Sequence, residues 1–154
     1  MNQTHFGCPA AVAQIAGIRE QASISGTVSF YRNRNGTLVV ADICGLPSGE
    51  DPAASRIFGF HIHEGRACTG QGLSDTGGHF NPYGRPHPYH AGDLPPLFES
   101  SGRAYMEVLT GRFCIPDIIG RTVVIHSDPD DFHSQPAGNA GEKIACGVIR
   151  STAH

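Results

Sequence analysis

The sequence predicts an all-β protein, a sandwich or barrel of short antiparallel strands. Apolar and polar residues alternate through several short runs, and turn residues separate those runs. With 20 glycines and 11 prolines in 154 residues, long helices are disfavoured. Ala11 to Ile15 is the first candidate strand. From Ile24 to Phe30, Ile24, Val28 and Phe30 share one face, while Ser23, Ser25, Thr27 and Ser29 take the other. Asn35-Gly36 is expected to supply the positive φ angles of a tight hairpin turn, with Leu38 to Ile43 returning as the next strand. Further strands are predicted at Ile57 to His63, Arg103 to Leu109, Thr122 to His126 and Ile144 to Ile149.

Two segments break this rhythm. Residues 64–99 carry seven glycines and five prolines with no sustained period, and residues 127–143 form a shorter second loop. A long structureless loop in a compact domain needs a function or another source of order. Metal coordination is the expected source.

The length suits one domain with a proper core. A net charge of −3 argues against a nucleic-acid partner or a membrane surface reached by a basic face. No apolar stretch approaches the ~20 residues that span a bilayer. The first residues, Met1 to Gln14, lack a basic start followed by a long apolar run, so a cytoplasmic location is expected unless a leader preceded them. Asn2-Gln3-Thr4 and Asn35-Gly36-Thr37 match a glycosylation pattern that needs a secreted context, and they read as terminal and turn residues. Five cysteines (8, 44, 68, 114 and 146) form an odd set without a C-x-x-C pair, which disfavours a cysteine zinc site. One disulfide with three free thiols is the simplest arithmetic.

The histidines carry the chemistry. Six of the nine fall in three groups: His61 with His63, His79 with His87 and His90 near Asp93, and His126 at the end of an apolar run. Imidazole is the commonest nitrogen ligand for zinc and copper, and a carboxylate completes such sites. In the strand Phe58 to His63, Phe58, Phe60 and Ile62 face the core, so His61 and His63 face outward together. Val124 and His126 share a face in the same way. Either group alone is ordinary surface histidine. His79, His87, His90 and Asp93 are a stronger signal, giving the four ligands of a closed tetrahedral site. Prolines 82, 86 and 88 stiffen that loop. The set reads as two metal sites.

The segments Gly59 to Glu64 (GFHIHE), Gly77 to Asp93 (GGHFNP, then H-x7-H and H-x-x-D), Gly120 to His126 (GRTVVIH) and Gly138 to Ile149 (GNAGEKIACGVI) closely resemble copper/zinc superoxide dismutase. The resemblance runs from about residue 11 to 150, with residues 1–10 as an N-terminal extension and 151–154 as a tail. It implies an eight-stranded antiparallel Greek-key β-barrel, an immunoglobulin-like sandwich, bearing long metal-binding and active-site loops.

Carried over position by position, the resemblance makes His61, His63, His79 and His126 copper ligands. His79, His87, His90 and Asp93 become zinc ligands, with His79 bridging the two metals, one of each per chain. Asp130 matches a carboxylate that links His61 to His87 and fixes their rings. Cys68 and Cys146 match the family's disulfide, which leaves Cys8, Cys44 and Cys114 to be read as buried small hydrophobes. Lys143, the only lysine in the chain, stands where the family usually places an arginine that meets the anionic substrate. Two further departures are a trimmed zinc loop, with two residues between His87 and His90, and a short second loop without a basic residue before Lys143.

The implied activity is disproportionation of superoxide to dioxygen and hydrogen peroxide. His79 would leave copper on reduction, take up a proton and return it to the forming peroxide, while Lys143 would attract and orient the anion. A homodimer and a copper-loading chaperone are the partners the resemblance would allow. The rival readings are a weakly active copper or zinc binding and delivery protein, and a purely structural interaction domain.

Overall fold

The computed structural model describes residues 7–51 and 56–153. The Asn2-Gln3-Thr4 triplet, most of the expected N-terminal extension and the last tail residue lie outside them. Among the described residues, the strands are β1 Ala11–Gly17, β2 Ser25–Asn33, β3 Gly36–Cys44, β4 Ile57–Phe58, β5 Phe60–His63, β6 Leu97–Phe98, β7 Ala104–Thr110, β8 Thr122–His126 and β9 Lys143–Ser151. One short helix, α1, spans Ile115–Ile118. Seven strands form one antiparallel sheet, curled into a half-barrel, in the order β5-β8-β9-β1-β2-β3-β7, while β4 and β6 pair separately. The neighbours β9-β1, β3-β7 and β5-β8 are not consecutive in the chain, so the connections cross over as a Greek key requires.

Alternation decides which side chains fill the barrel. Val28 and Phe30 of β2, Val39, Ala41 and Ile43 of β3, and Val123 and Ile125 of β8 lie in one core. Ile24 joins them just before β2, and Phe58, Phe60 and Ile62 enter from β4 and β5. Phe30 meets Phe113 edge-on at 6.3 Å between ring centres. Among the described residues, no helix is long and apolar enough to cross a membrane.

Several expectations are corrected. The predicted strand Ile57 to His63 is two, which brings the described strands to nine rather than eight. It breaks at Gly59, whose N–H donates to Asp128 O and whose carbonyl accepts from His126 N–H, so the backbone there serves the second loop and β8. In the β2–β3 hairpin Asn33 pairs with Gly36, and the turn residues are Arg34 and Asn35. The positive φ falls on Gly36, at 139°, where a Cβ would sit 2.3 Å from Thr110 O. The Asn33 side chain accepts from Asn35 N–H at 3.0 Å, closing the turn without Asn35-Gly36 at its centre.

Cys8, Cys44 and Cys114 are exposed, not buried. Cys8 lies before β1, Cys44 ends β3 and Cys114 precedes α1, so none occupies a core-facing strand position.

Residues 64–99 are also better ordered by packing than their composition implies. Phe80, Ala91, Leu94 and Leu97 are buried in the main core, at spacings too irregular to read as a period.

Candidate metal centre

β5 is an edge strand of the large sheet, and the long loop returns along its open edge. Phe80 N–H donates to Ile62 O and Ile62 N–H to Gly92 O, both at 2.8 Å, and isolated bridges join His63 to His79 and His61 to Asp93. Backbone pairing therefore places His79 and Asp93 beside the two histidines of β5. β8, the next strand, adds His126. His61 and His63 do turn away from the barrel core, but the loops cover them, and they are 0% and 2% exposed.

Two four-residue groups result, each with its donor atoms within 4.8 Å of one another. One is His61, His63, His79 and His126; the other is His79, His87, His90 and Asp93. His79 belongs to both. Its Nδ1 lies 2.8 Å from Asp93 Oδ1 and 3.2 Å from His90 Nδ1, and its Nε2 is buried without a hydrogen-bond partner. His63 Nε2 and His126 Nε2 face each other at 3.1 Å.

Asp130 stands behind both groups. Its Oδ2 accepts from His61 Nε2 and its Oδ1 from His87 Nε2, each at 2.7 Å. Phe132 N–H also donates to Oδ1 at 2.7 Å. Those bonds leave His61 Nδ1 and His87 Nδ1 turned inward, both buried and without a hydrogen bond, with His87 Nδ1 lying 3.0 Å from Asp93 Oδ2. A Cβ on Gly138 (φ 72°) would lie 2.1 Å from Asp130 Oδ1 and 2.5 Å from His87 Nε2, so the second loop closes over this link only because a glycine stands there.

The orphaned nitrogens are the fit test for a metal. Each buried acceptor or donor left unsatisfied costs roughly 1–3 kcal/mol, and there are four among these histidines: His61 Nδ1, His79 Nε2, His87 Nδ1 and His126 Nδ1. A cation in each group would satisfy them. Nitrogen donors with one carboxylate suit zinc, and four imidazoles suit copper.

The electrostatics agree with that reading. Burial lowers the basicity of His61, His63, His90 and His126, with His63 at about 2 and His126 at about 3. Neutral imidazole is the metal-binding form. Burial alone would raise the Asp93 and Asp130 carboxyls. The bond from His79 to Asp93, and the bonds from His61, His87 and Phe132 N–H to Asp130, outweigh it and hold both below the usual carboxylate range.

Lys143 opens β9. Its Nζ donates to Thr76 Oγ1 at 2.7 Å and to Gly77 O at 2.9 Å, and Gly77 O also lies 2.9 Å from His63 Nδ1. The ammonium therefore shares an acceptor with a histidine of the first group. Beside it lies a surface depression of about 330 Å³, lined among others by Arg19, Glu20, Glu142 and Lys143. Arg19 arrives from the β1–β2 connection, so the basic neighbour missing from the second loop comes from elsewhere in the chain.

The disulfide joins Cys68 to Cys146, across 78 positions, and ties the long loop to β9. Closing a span of that length contributes about 4.5 kcal/mol in the chain-entropy model.

Other supports were not legible as site residues. Arg112 Nη1 donates to the carbonyls of Pro88, His90 and Asp93 at 2.8, 3.3 and 3.5 Å, which gathers the second group's backbone. Gln135 clamps His87, accepting from its N–H at 2.9 Å and donating to its carbonyl at 2.7 Å. Arg121 Nη1 donates to Glu64 O at 2.8 Å and its guanidinium covers Phe80 at 4.4 Å. Each acts on backbone or a ring face, which leaves no sequence motif.

These features define a β-barrel of one particular kind, with two buried clusters that could each hold a metal ion. The family profile described as copper/zinc superoxide dismutase matches residues 24–149. The chain belongs to the copper/zinc superoxide dismutase family. It is 35% identical over 148 residues to "Superoxide dismutase [Cu-Zn] 2" of Aquifex aeolicus (strain VF5), covering 86% of this chain and 83% of that one. "Superoxide dismutase [Cu-Zn] 1" of the same organism is 30% identical over 148 residues, covering 86% and 84%. Among solved structures, a SOD-like protein from Bacillus subtilis superposes with a TM-score of 0.73 at 27% identity, covering 89% of this chain and 96% of that one. A double mutant of that SOD-like protein gives 0.74 at 28% identity, covering 91% and 97%.

Proposed function

We propose that this protein disproportionates superoxide, converting two superoxide ions and two protons into dioxygen and hydrogen peroxide. The observation that carries the reading is the pair of buried four-residue groups sharing His79, with Lys143 anchored beside them. His61, His63, His79 and His126 would hold copper, and His79, His87, His90 and Asp93 would hold zinc. Copper supplies a one-electron cycle between its cupric and cuprous states, whereas zinc, which has no accessible redox chemistry, supplies fixed charge.

The protein's own residues supply the rest. Lys143 presents a positive charge to a small anion arriving near His63 and His126. Asp130 keeps His61 and His87 protonated at Nε2, so that their Nδ1 atoms stay free to bind. His79 is held at Nδ1 by the Asp93 side, and its Nε2 can take up a proton and give it to the product. Burial keeps the imidazoles of His61, His63, His90 and His126 neutral.

Superoxide decay followed by stopped flow, on protein carrying both metals and on protein carrying zinc alone, tests the proposal. Fast decay only with copper present is expected. Copper-loaded protein with no decay above free buffer would leave a metal-binding or delivery protein instead.

A further inference from the structure

A lysine in place of the usual arginine raises a positioning problem, because a flexible four-carbon stem carries a point charge where a rigid fork would be held by its own planarity. The surroundings of Lys143 contain an answer outside the ligand sets. Thr76 is fully buried at the end of the 3-10 segment Gln71–Thr76, and its hydroxyl donates to Leu73 O at 2.8 Å. That bond uses the hydroxyl proton and leaves the oxygen's lone pairs to accept from Lys143 Nζ at 2.7 Å. Gly77 O accepts a second ammonium proton at 2.9 Å. Two of the three protons are thus committed to fixed acceptors, and the third, with no acceptor among the described residues, points to an anion.

The platform under Thr76 is itself fixed. Thr76 O accepts from Gly65 N–H at 2.8 Å. Leu73 packs in a small cluster with Val124 and Cys146, and the disulfide partner Cys68 lies against it. Loop and β9 are therefore held at one distance on both sides of the Thr76–Lys143 contact.

We propose that Thr76 is a positioning residue for anion binding: its hydroxyl holds the Lys143 ammonium beside the His63–His126 pair and gives a lysine the fixed direction that an arginine fork would supply. The inference rests on the copper reading for its anion, but its first test does not need metal. Lys143 is the only lysine in the chain, so its ε-methylene NMR signal is assigned without ambiguity. In metal-free protein that signal should relax as a restrained group, become mobile in Thr76→Val, and stay restrained in Thr76→Ser. A mobile Lys143 in the native protein, or one unaffected by Thr76→Val, overturns the proposal.

The second test is azide binding to copper-loaded protein, read from the copper absorption spectrum. Thr76→Val should weaken azide roughly two- to tenfold, the range of an ordinary hydrogen bond whose loss reaches the anion only through Lys143, and Thr76→Ser should stay near native. In a Lys143→Met background, Thr76→Val should change nothing further. An equal loss in that background would show that Thr76 acts through the fold and not through Lys143, which defeats the proposal. If Thr76→Ser is the damaged variant and Thr76→Val is spared, the methyl group matters and the hydroxyl does not, with the same consequence. Neither readout requires turnover, so a protein that binds azide natively but does not consume superoxide would sink the proposed function and leave this inference standing.

Discussion

Replacing Asp130 by Asn removes one acceptor from a carboxylate that serves both histidine groups, and the geometry fixes which group suffers. Oδ1 accepts from His87 Nε2 and from Phe132 N–H, whereas Oδ2 accepts from His61 Nε2 alone. An asparagine keeps one acceptor oxygen and gains an amino group. It will place the oxygen where two donors point, toward His87 and Phe132, and turn the amino group on His61. That contact is donor against donor. His61 relieves it by moving its proton from Nε2 to Nδ1, the nitrogen otherwise left free for the ion. Loss of such an orienting partner costs roughly 10- to 100-fold in metal affinity, or about 1.4–2.7 kcal/mol. The expected outcome is a copper affinity lowered by that factor, with zinc affected less, measured by competition with a chelator of known strength. A variant that loses zinc and keeps copper would refute the reasoning, as would one with both affinities within twofold of native.

His126→Ala should abolish copper binding at the first group while one zinc per chain remains, because His126 belongs to that group alone; His79→Ala should lower both metals, and elemental analysis distinguishes the two patterns. Lys143→Met should slow the bimolecular reaction with superoxide roughly tenfold and flatten its salt dependence, while Lys143→Arg should match or exceed the native rate. Once Lys143 is gone, Arg19, Glu20 and Glu142 leave the same depression with one negative charge in excess, so added salt should no longer slow the reaction. Metal-free protein should lose stability in acid. His63 and His126 sit near 2 and 3 when folded against 6.5 when unfolded, so only the unfolded chain takes up protons as pH falls below about 6.5. Asp93 and Asp130, held below their ordinary 3.8, add further loss once pH passes that value downward. The melting temperature should be flat above pH 7 and fall steadily below 6.5; a maximum near pH 5 would contradict these environments.

Strand alternation made the core faces of β2, β3, β5 and β8 readable, since a period of two is a local property of sequence. The grouping of histidines was readable for the same reason: His61 with His63, and His79 with His87, His90 and Asp93, are near neighbours in the chain. The closeness of Lys143 to the first group rested on resemblance, because nothing local links β9 to residue 77. Tertiary bonds to backbone were invisible. Arg112 and Gln135 hold the long loop through carbonyl and amide groups that every residue carries, and Phe80 and Leu94 anchor it at irregular spacing. The break at Gly59 arose the same way, from a backbone exchange with Asp128 and His126.

The most direct test adds copper in sub-stoichiometric steps to zinc-loaded protein and records bound copper and superoxide decay on the same samples. The rate should rise linearly with bound copper, break at one copper per chain, and vanish in His126→Ala. A full complement of copper bound with no rise in rate, or a rate that persists in His126→Ala, would contradict a dismutase centre built on these histidines.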